Sequence, residues 1–122
     1  MTMKIVFAGT PENAATTLRE LVMAGVEVVL AITRPDAPVG RKRIITASPV
    51  ALAAEELGIP LLKTSRLDTD AVDTIKATGA TIGVVVAFGV ILRANALEAL
   101  SNGWFNLHFS DLPRWRGAAP AQ

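Results

Sequence analysis

The first thirty-two residues constrain the fold more than any other stretch. Lys4-Ile5-Val6-Phe7-Ala8 is a short apolar run bounded by Gly9-Thr10-Pro11. That is the pattern of a buried parallel strand entering a turn. Pro11 suits the first turn of a helix, with Thr10 as N-cap and Glu12 or Asn13 just inside it. Leu18, Leu21 and Val22 recur at helical spacing and predict a face laid against a sheet, and Gly25 predicts the helix end. Val26–Ile32 reads as a second apolar strand. Strand, helix and strand in so short a span make a βαβ unit, whose crossover is right-handed.

The remainder repeats the alternation. Thr33 to Ser48 reads as a long loop carrying Pro35, Pro38, Gly40 and the basic run Arg41-Lys42-Arg43. Ser48-Pro49 predicts a capped helix over Val50–Leu57, closed by Gly58. Pro60-Leu61-Leu62 predicts a short edge strand, since proline is tolerated at a strand start. A helix over Asp70–Ala77, a β-branched strand over Thr81–Ala87, a helix over Ala94–Leu100 and a strand from Trp104 to His108 complete the pattern. Five strands alternating with four helices give an α/β class: a Rossmann-like, doubly wound parallel sheet. In the usual winding the first and fourth strands are neighbours, which gathers Gly9-Thr10-Pro11, Phe88–Leu92 and Asn106–Pro113 around one crevice. Ala118-Ala119-Pro120 starts what reads as another helix just before the chain stops at Gln122, so the expectation is a truncated domain.

At 122 residues the chain holds one domain at most, and 51% hydrophobic with 19% charged residues supports a real core. A formal net charge of +1 points to no class of partner. With no cysteine and a single histidine, disulfides, thiolate metal sites and multi-histidine metal sites are excluded. Lys4–Ala8 is too short for a signal peptide, and no apolar segment reaches membrane-spanning length. The expected location is the cytoplasm, with no membrane partner.

The chemistry concentrates near the end of the chain. Side chains alternate along a strand, so Asn106 and His108 project the same way. Two N–H donors at a strand's C-terminal end suit a reacting carbonyl, because each can donate to the oxygen where negative charge develops. The bland reading is a polar pair bonded to a neighbouring loop. Gly9-Thr10-Pro11 lacks Gly-X-Gly-X-X-Gly, and Thr33-Arg34 stands where an acid would close the second strand, so a dinucleotide cofactor does not fit. Phe88-Gly89-Val90-Ile91-Leu92 is either an apolar pocket wall or a strand end running into core. Arg41, Lys42 and Arg43 are either a solvated loop or a phosphate contact.

Asn106-X-His108 followed by Ser110-X-Leu112-Pro113 resembles the signature of the folate-dependent formyltransferases. Pro113-Arg114-Trp115-Arg116-Gly117-Ala118-Ala119-Pro120 and Lys4–Pro11 both look like the branch of that family that formylates methionine carried by initiator tRNA. The resemblance covers the whole chain, which looks like the N-terminal part (residues 1–122) of the family's catalytic domain. The family's C-terminal tRNA-binding β-barrel is expected to be absent.

The resemblance implies that 10-formyltetrahydrofolate is the co-substrate and that no metal is needed. Asn106 and His108 would be catalytic. Phe88, Gly89, Val90, Ile91, Leu92, Ser110, Asp111, Leu112 and Pro113 would bind folate. Gly9, Thr10 and Pro11 would wall the acceptor amine, and Arg41, Lys42 and Arg43 would contact initiator methionyl-tRNA. Arg114, Trp115 and Arg116 would brace the loop by stacking and ion pairing, with a direct tRNA contact as the weaker alternative. The family's third catalytic group, an aspartate, lies downstream of this chain, and Asp111 stands where the family usually has leucine. The full-length protein would be a monomer. Acceptors such as glycinamide ribonucleotide or an amino sugar nucleotide remain as alternatives, and so does a fragment that binds folate or RNA without catalysis.

Overall fold

The computed structural model describes residues 3–89, 92 and 94–107. Among them the order is β1 (Lys4–Gly9), α1 (Glu12–Met23), β2 (Glu27–Thr33), β3 (Ala37–Val39), β4 (Ile44–Thr46), α2 (Pro49–Leu57), β5 (Leu61–Lys63), α3 (Thr69–Ala77), β6 (Ile82–Val86), α4 (Ala94–Leu97) and β7 (Trp104–Leu107). β5, β2, β1, β6 and β7 lie side by side in that order, with every neighbouring pair parallel. The expected neighbours, β1 and the fourth strand of the sheet, are paired from Ile5↔Ile82 to Gly9↔Val86.

The chain winds outward in both directions from β1, so helices cover both faces. α1 and α2 lie on one face, where Ala14, Ala15, Leu18, Val50, Ala53 and Ala54 pack with Phe7, Ala31 and Val86. α3 and α4 take the other, where Ala71, Val72, Ile75 and Ala96 pack with Val6, Ala8, Ile32 and Val85. From Ile5 to Gly9 every residue of β1 is buried, as a strand covered on both faces requires. One irregularity interrupts the pairing: the register of β1 on β2 skips Val29, and Val29 and Leu30 then pack on the same face.

Most expected helix ends are realised. The Ser48 hydroxyl accepts the N–H of Ala51, with Pro49 in the first turn, and Gly58 closes α2 at φ 73°. Three expectations change. Thr10 does not cap α1. Pro11 holds that position without a side-chain bond, and its carbonyl accepts from Ala14 and Ala15. A residue before proline is held extended, and Thr10 instead turns its carbonyl to the N–H of Val50 at 3.4 Å.

The Thr33–Ser48 segment is not plain loop. It contains the antiparallel pair β3–β4, in register from Ala37↔Thr46 to Val39↔Ile44, with a turn that uses positive φ at Gly40 (77°) and Arg43 (55°). α4 stops at Leu97 and does not reach Leu100. The Ala96 carbonyl is already taken by the N–H of Ala99 (3.1 Å) and by Trp104 Nε1 (3.0 Å), so the next helical bond has no acceptor.

Candidate functional site

In an open parallel sheet, ligands bind beyond the carboxyl ends of the strands where the winding reverses. Here that point lies between β1 and β6. The register places Gly9, Val86 and Leu107 in one row across β1, β6 and β7, with Ala8, Val85 and Asn106 in the row beneath. At the usual strand spacing that row is about 10 Å long. Three segments singled out in the sequence therefore converge: Gly9-Thr10-Pro11, the chain after Val86, and Asn106.

Gly9 is fixed by space. A Cβ there would sit 2.7 Å from the Val86 carbonyl oxygen and 2.8 Å from the Ala14 Cβ. The glycine lets β1, β6 and the start of α1 close together at the floor of the crevice. Thr10, the next residue, has a buried hydroxyl with no hydrogen-bond partner among the described residues. Beyond β6 the backbone is strained: Ala87 takes φ 51°, a conformation that costs a residue with a Cβ about 1–2 kcal/mol. Gly89 follows at φ 79°. This alternation turns Phe88 inward (5% exposed) among Val6, Ala8 and Val85, and leaves Ala87 and Gly89 exposed beside the strand ends. The Phe88 side chain thus belongs to the core, and what this segment offers a ligand is its backbone. Leu92 is partly buried against the same core cluster.

Asn106 is exposed near the end of β7. It shares a face with Trp104, whose ring lies over Gly83 and whose Nε1 donates to the Ala96 carbonyl. That anchor two residues earlier sets the direction in which the Asn106 amide leaves the sheet. His108, Val90, Ile91, Ser110, Asp111, Leu112, Pro113, Arg114, Trp115 and Arg116 lie outside the described residues.

The β3–β4 pair rises from the carboxyl end of β2, so it stands at the crevice end of the sheet. Arg41, Lys42 and Arg43 are exposed at its tip, and among the described residues none makes a salt bridge. Sequence reasoning missed this hairpin and also its root. Thr33 Oγ1 and Ser48 Oγ, both fully buried, are 2.6 Å apart and join the end of β2 to the start of α2. Arg19 lies in the second half of α1. Its guanidinium is held above its ordinary pKa first by a hydrogen bond to Glu56, an exposed link between α1 and α2.

A parallel doubly wound sheet with this crevice is common to many chemistries, so comparison with known proteins decides the family. The formyl transferase family model matches residues 3–122. The chain belongs to the formyl transferase family. Curated relatives agree. The chain is 57% identical over 120 residues to the methionyl-tRNA formyltransferase of Clavibacter sepedonicus, covering 98% of this chain and 39% of that protein. The corresponding proteins of Bifidobacterium animalis subsp. lactis and Acidothermus cellulolyticus are 52% and 50% identical, each over 98% of this chain. The chain therefore spans about two-fifths of the length of the curated relatives it matches.

Proposed function

We propose that this chain is the N-terminal part of a catalytic domain that transfers a formyl group from 10-formyltetrahydrofolate to the amino group of methionyl initiator tRNA in the cytoplasm. The observation that carries the reading is the convergence of Asn106, Ala87–Gly89 and Gly9–Pro11 at the winding reversal of a formyl transferase sheet. The one-carbon donor supplies an activated formyl carbonyl. When an amine adds to it, negative charge gathers on the formyl oxygen. The Asn106 amide N–H donates to that oxygen, and donors of this kind typically lower the barrier by about 3 kcal/mol. His108 gives a second hydrogen bond and moves the proton lost by the amine. The new N–C bond forms as the bond from the formyl carbon to the folate nitrogen breaks, and that nitrogen takes up a proton.

A flat heteroaromatic ring wants apolar walls and a few backbone donors and acceptors. The exposed backbone at Ala87 and Gly89 fits that need, and the residues this reading assigns to folate are Phe88–Leu92 and Ser110–Pro113. Gly9, Thr10 and Pro11 wall the acceptor amine. Arg41, Lys42 and Arg43 reach acceptor-stem phosphates, and this hairpin favours a tRNA acceptor over a small soluble amine.

The test is a formyl-transfer assay on the full-length protein with methionyl-tRNA, glycinamide ribonucleotide and an amino sugar nucleotide offered in turn. The reading expects transfer to the first alone, with the tRNA KM rising steeply with salt and the slope reduced when Arg41, Lys42 and Arg43 are changed to glutamine. Transfer to a small amine with no salt response would replace the tRNA acceptor with that amine.

A further inference from the structure

Among the described residues, the hairpin that carries the basic tip has almost nothing apolar to hold it. Val39, Ile44 and Ile45 are 48%, 61% and 63% exposed, and a two-stranded hairpin alone is marginally stable in water. Its direction must therefore come from polar contacts at its base. The Thr33–Ser48 hydroxyl pair pins the two points where the excursion leaves and rejoins the body, but lies below the hairpin itself. Above it, Arg34 is half-buried, and its Nη1 donates to two carbonyls, Pro35 at 2.8 Å on the outgoing leg and Thr46 at 3.2 Å on the returning leg. On the other side, Lys63 Nζ at the end of β5 meets Asp36 Oδ1 at 2.8 Å, tethering the outgoing leg to the sheet edge.

From this arrangement we infer that Arg34 is the positioning residue of the basic hairpin, with the Asp36–Lys63 pair as a weaker, salt-sensitive stay. A guanidinium spanning both legs fixes their relative direction, whereas an exposed ion pair adds little and is screened by salt. Arg34 touches no reacting atom. It acts by keeping Arg41, Lys42 and Arg43 aimed at the side of the crevice from which an acceptor RNA would enter. The inference rests on the proposed role of that tip.

The chain has no cysteine, so cysteines placed at Lys42 and Asp73 give two unique spin-labelling sites, one on the tip and one on exposed α3. Pulsed dipolar spectroscopy then reads the spread of tip-to-body distances. Arg34→Gln should broaden that spread while the melting temperature stays near the parent value. Asp36→Asn should broaden it less, and at low salt only. In the full-length protein, Arg34→Gln should raise the KM for methionyl-tRNA about fivefold, the scale of one charged hydrogen bond partly exposed to water, with kcat held. A spread as narrow in Arg34→Gln as in the parent would overturn the positioning role, whatever the RNA assay gives. A broadened spread with an unchanged RNA KM would uphold the positioning role and remove the hairpin from RNA recognition.

Discussion

Gly83→Ala is a single-methyl change whose cost follows directly from the geometry. The added Cβ would lie 2.3 Å from Trp104 Cε3 and 2.6 Å from both Cδ2 and Cζ3. Carbon atoms rest about 3.5–4.0 Å apart, so more than 1 Å of overlap must be relieved. β6 is held on both sides, by β1 and β7, and has little freedom to move. The indole must therefore swing off the sheet and give up its 3.0 Å bond to the Ala96 carbonyl. Overpacking of this kind costs about 1–3 kcal/mol and the lost hydrogen bond about 1 kcal/mol. Replacing a strand glycine returns about 0.5–1 kcal/mol. The net is a loss of roughly 1–3.5 kcal/mol. With an m-value of about 1.5 kcal/mol/M, the urea midpoint should fall by about 0.7–2.3 M. The assay is urea unfolding of the parent, Gly83→Ala, Trp104→Val and the double variant, followed by circular dichroism. In the double variant the clash is gone, so the two losses should be clearly less than additive. A Gly83→Ala midpoint equal to the parent's, or strict additivity, would refute the packing of Trp104 on Gly83 and its anchoring of β7 beneath Asn106.

Three further outcomes follow from single groups. Ser48→Ala removes the cap of α2 and strands the buried Thr33 hydroxyl, so unfolding should become easier by about 2 kcal/mol, read from the same urea midpoint. Thr10→Val deletes a buried hydroxyl that has no partner among the described residues and should leave stability unchanged or raise it by up to about 1 kcal/mol, whereas a marked loss would reveal a partner for that oxygen. Ala87→Gly releases a positive φ and should stabilise the chain by about 0.5–1 kcal/mol, while a loss of stability in thermal melts would show that the Ala87 methyl contributes packing that outweighs the strain.

The sheet was legible because each of its strands is a mainly apolar stretch with a glycine or proline close to one end, and because helical spacing between them leaves only a parallel arrangement. The neighbouring of β1 and β6 follows from that winding, and it alone brings Gly9 beside Val86. The hairpin was not legible. Three residues on each side, one of them Pro38, give too little alternation to register as strands, and the Arg34–Thr46 and Lys63–Asp36 contacts at its base join residues that no local pattern brings together. Thr10 looked like a cap because residue type favours it there, but the proline that follows held it extended and out of reach. The inward turn of Phe88 depends on positive φ at an alanine, which sequence gives no reason to expect. Asn106 was placeable because strand alternation fixes its face, whereas the Trp104 anchor that aims it joins residues twenty-one positions apart, at Gly83, and is a tertiary fact.

The measurement that bears most directly on the central claim is a titration with 5-formyltetrahydrofolate, a formyl-folate expected to occupy the crevice without giving up its group. It is followed by tryptophan fluorescence, in this chain and in the full-length protein. The account predicts saturable binding by the full-length protein with the fold intact by circular dichroism, and Asn106→Ala that still binds but transfers formyl about a hundredfold or more slowly. Folded full-length protein that shows no saturable response, or Asn106→Ala that transfers as fast as the parent, would contradict a formyl-folate site at the ends of β1, β6 and β7.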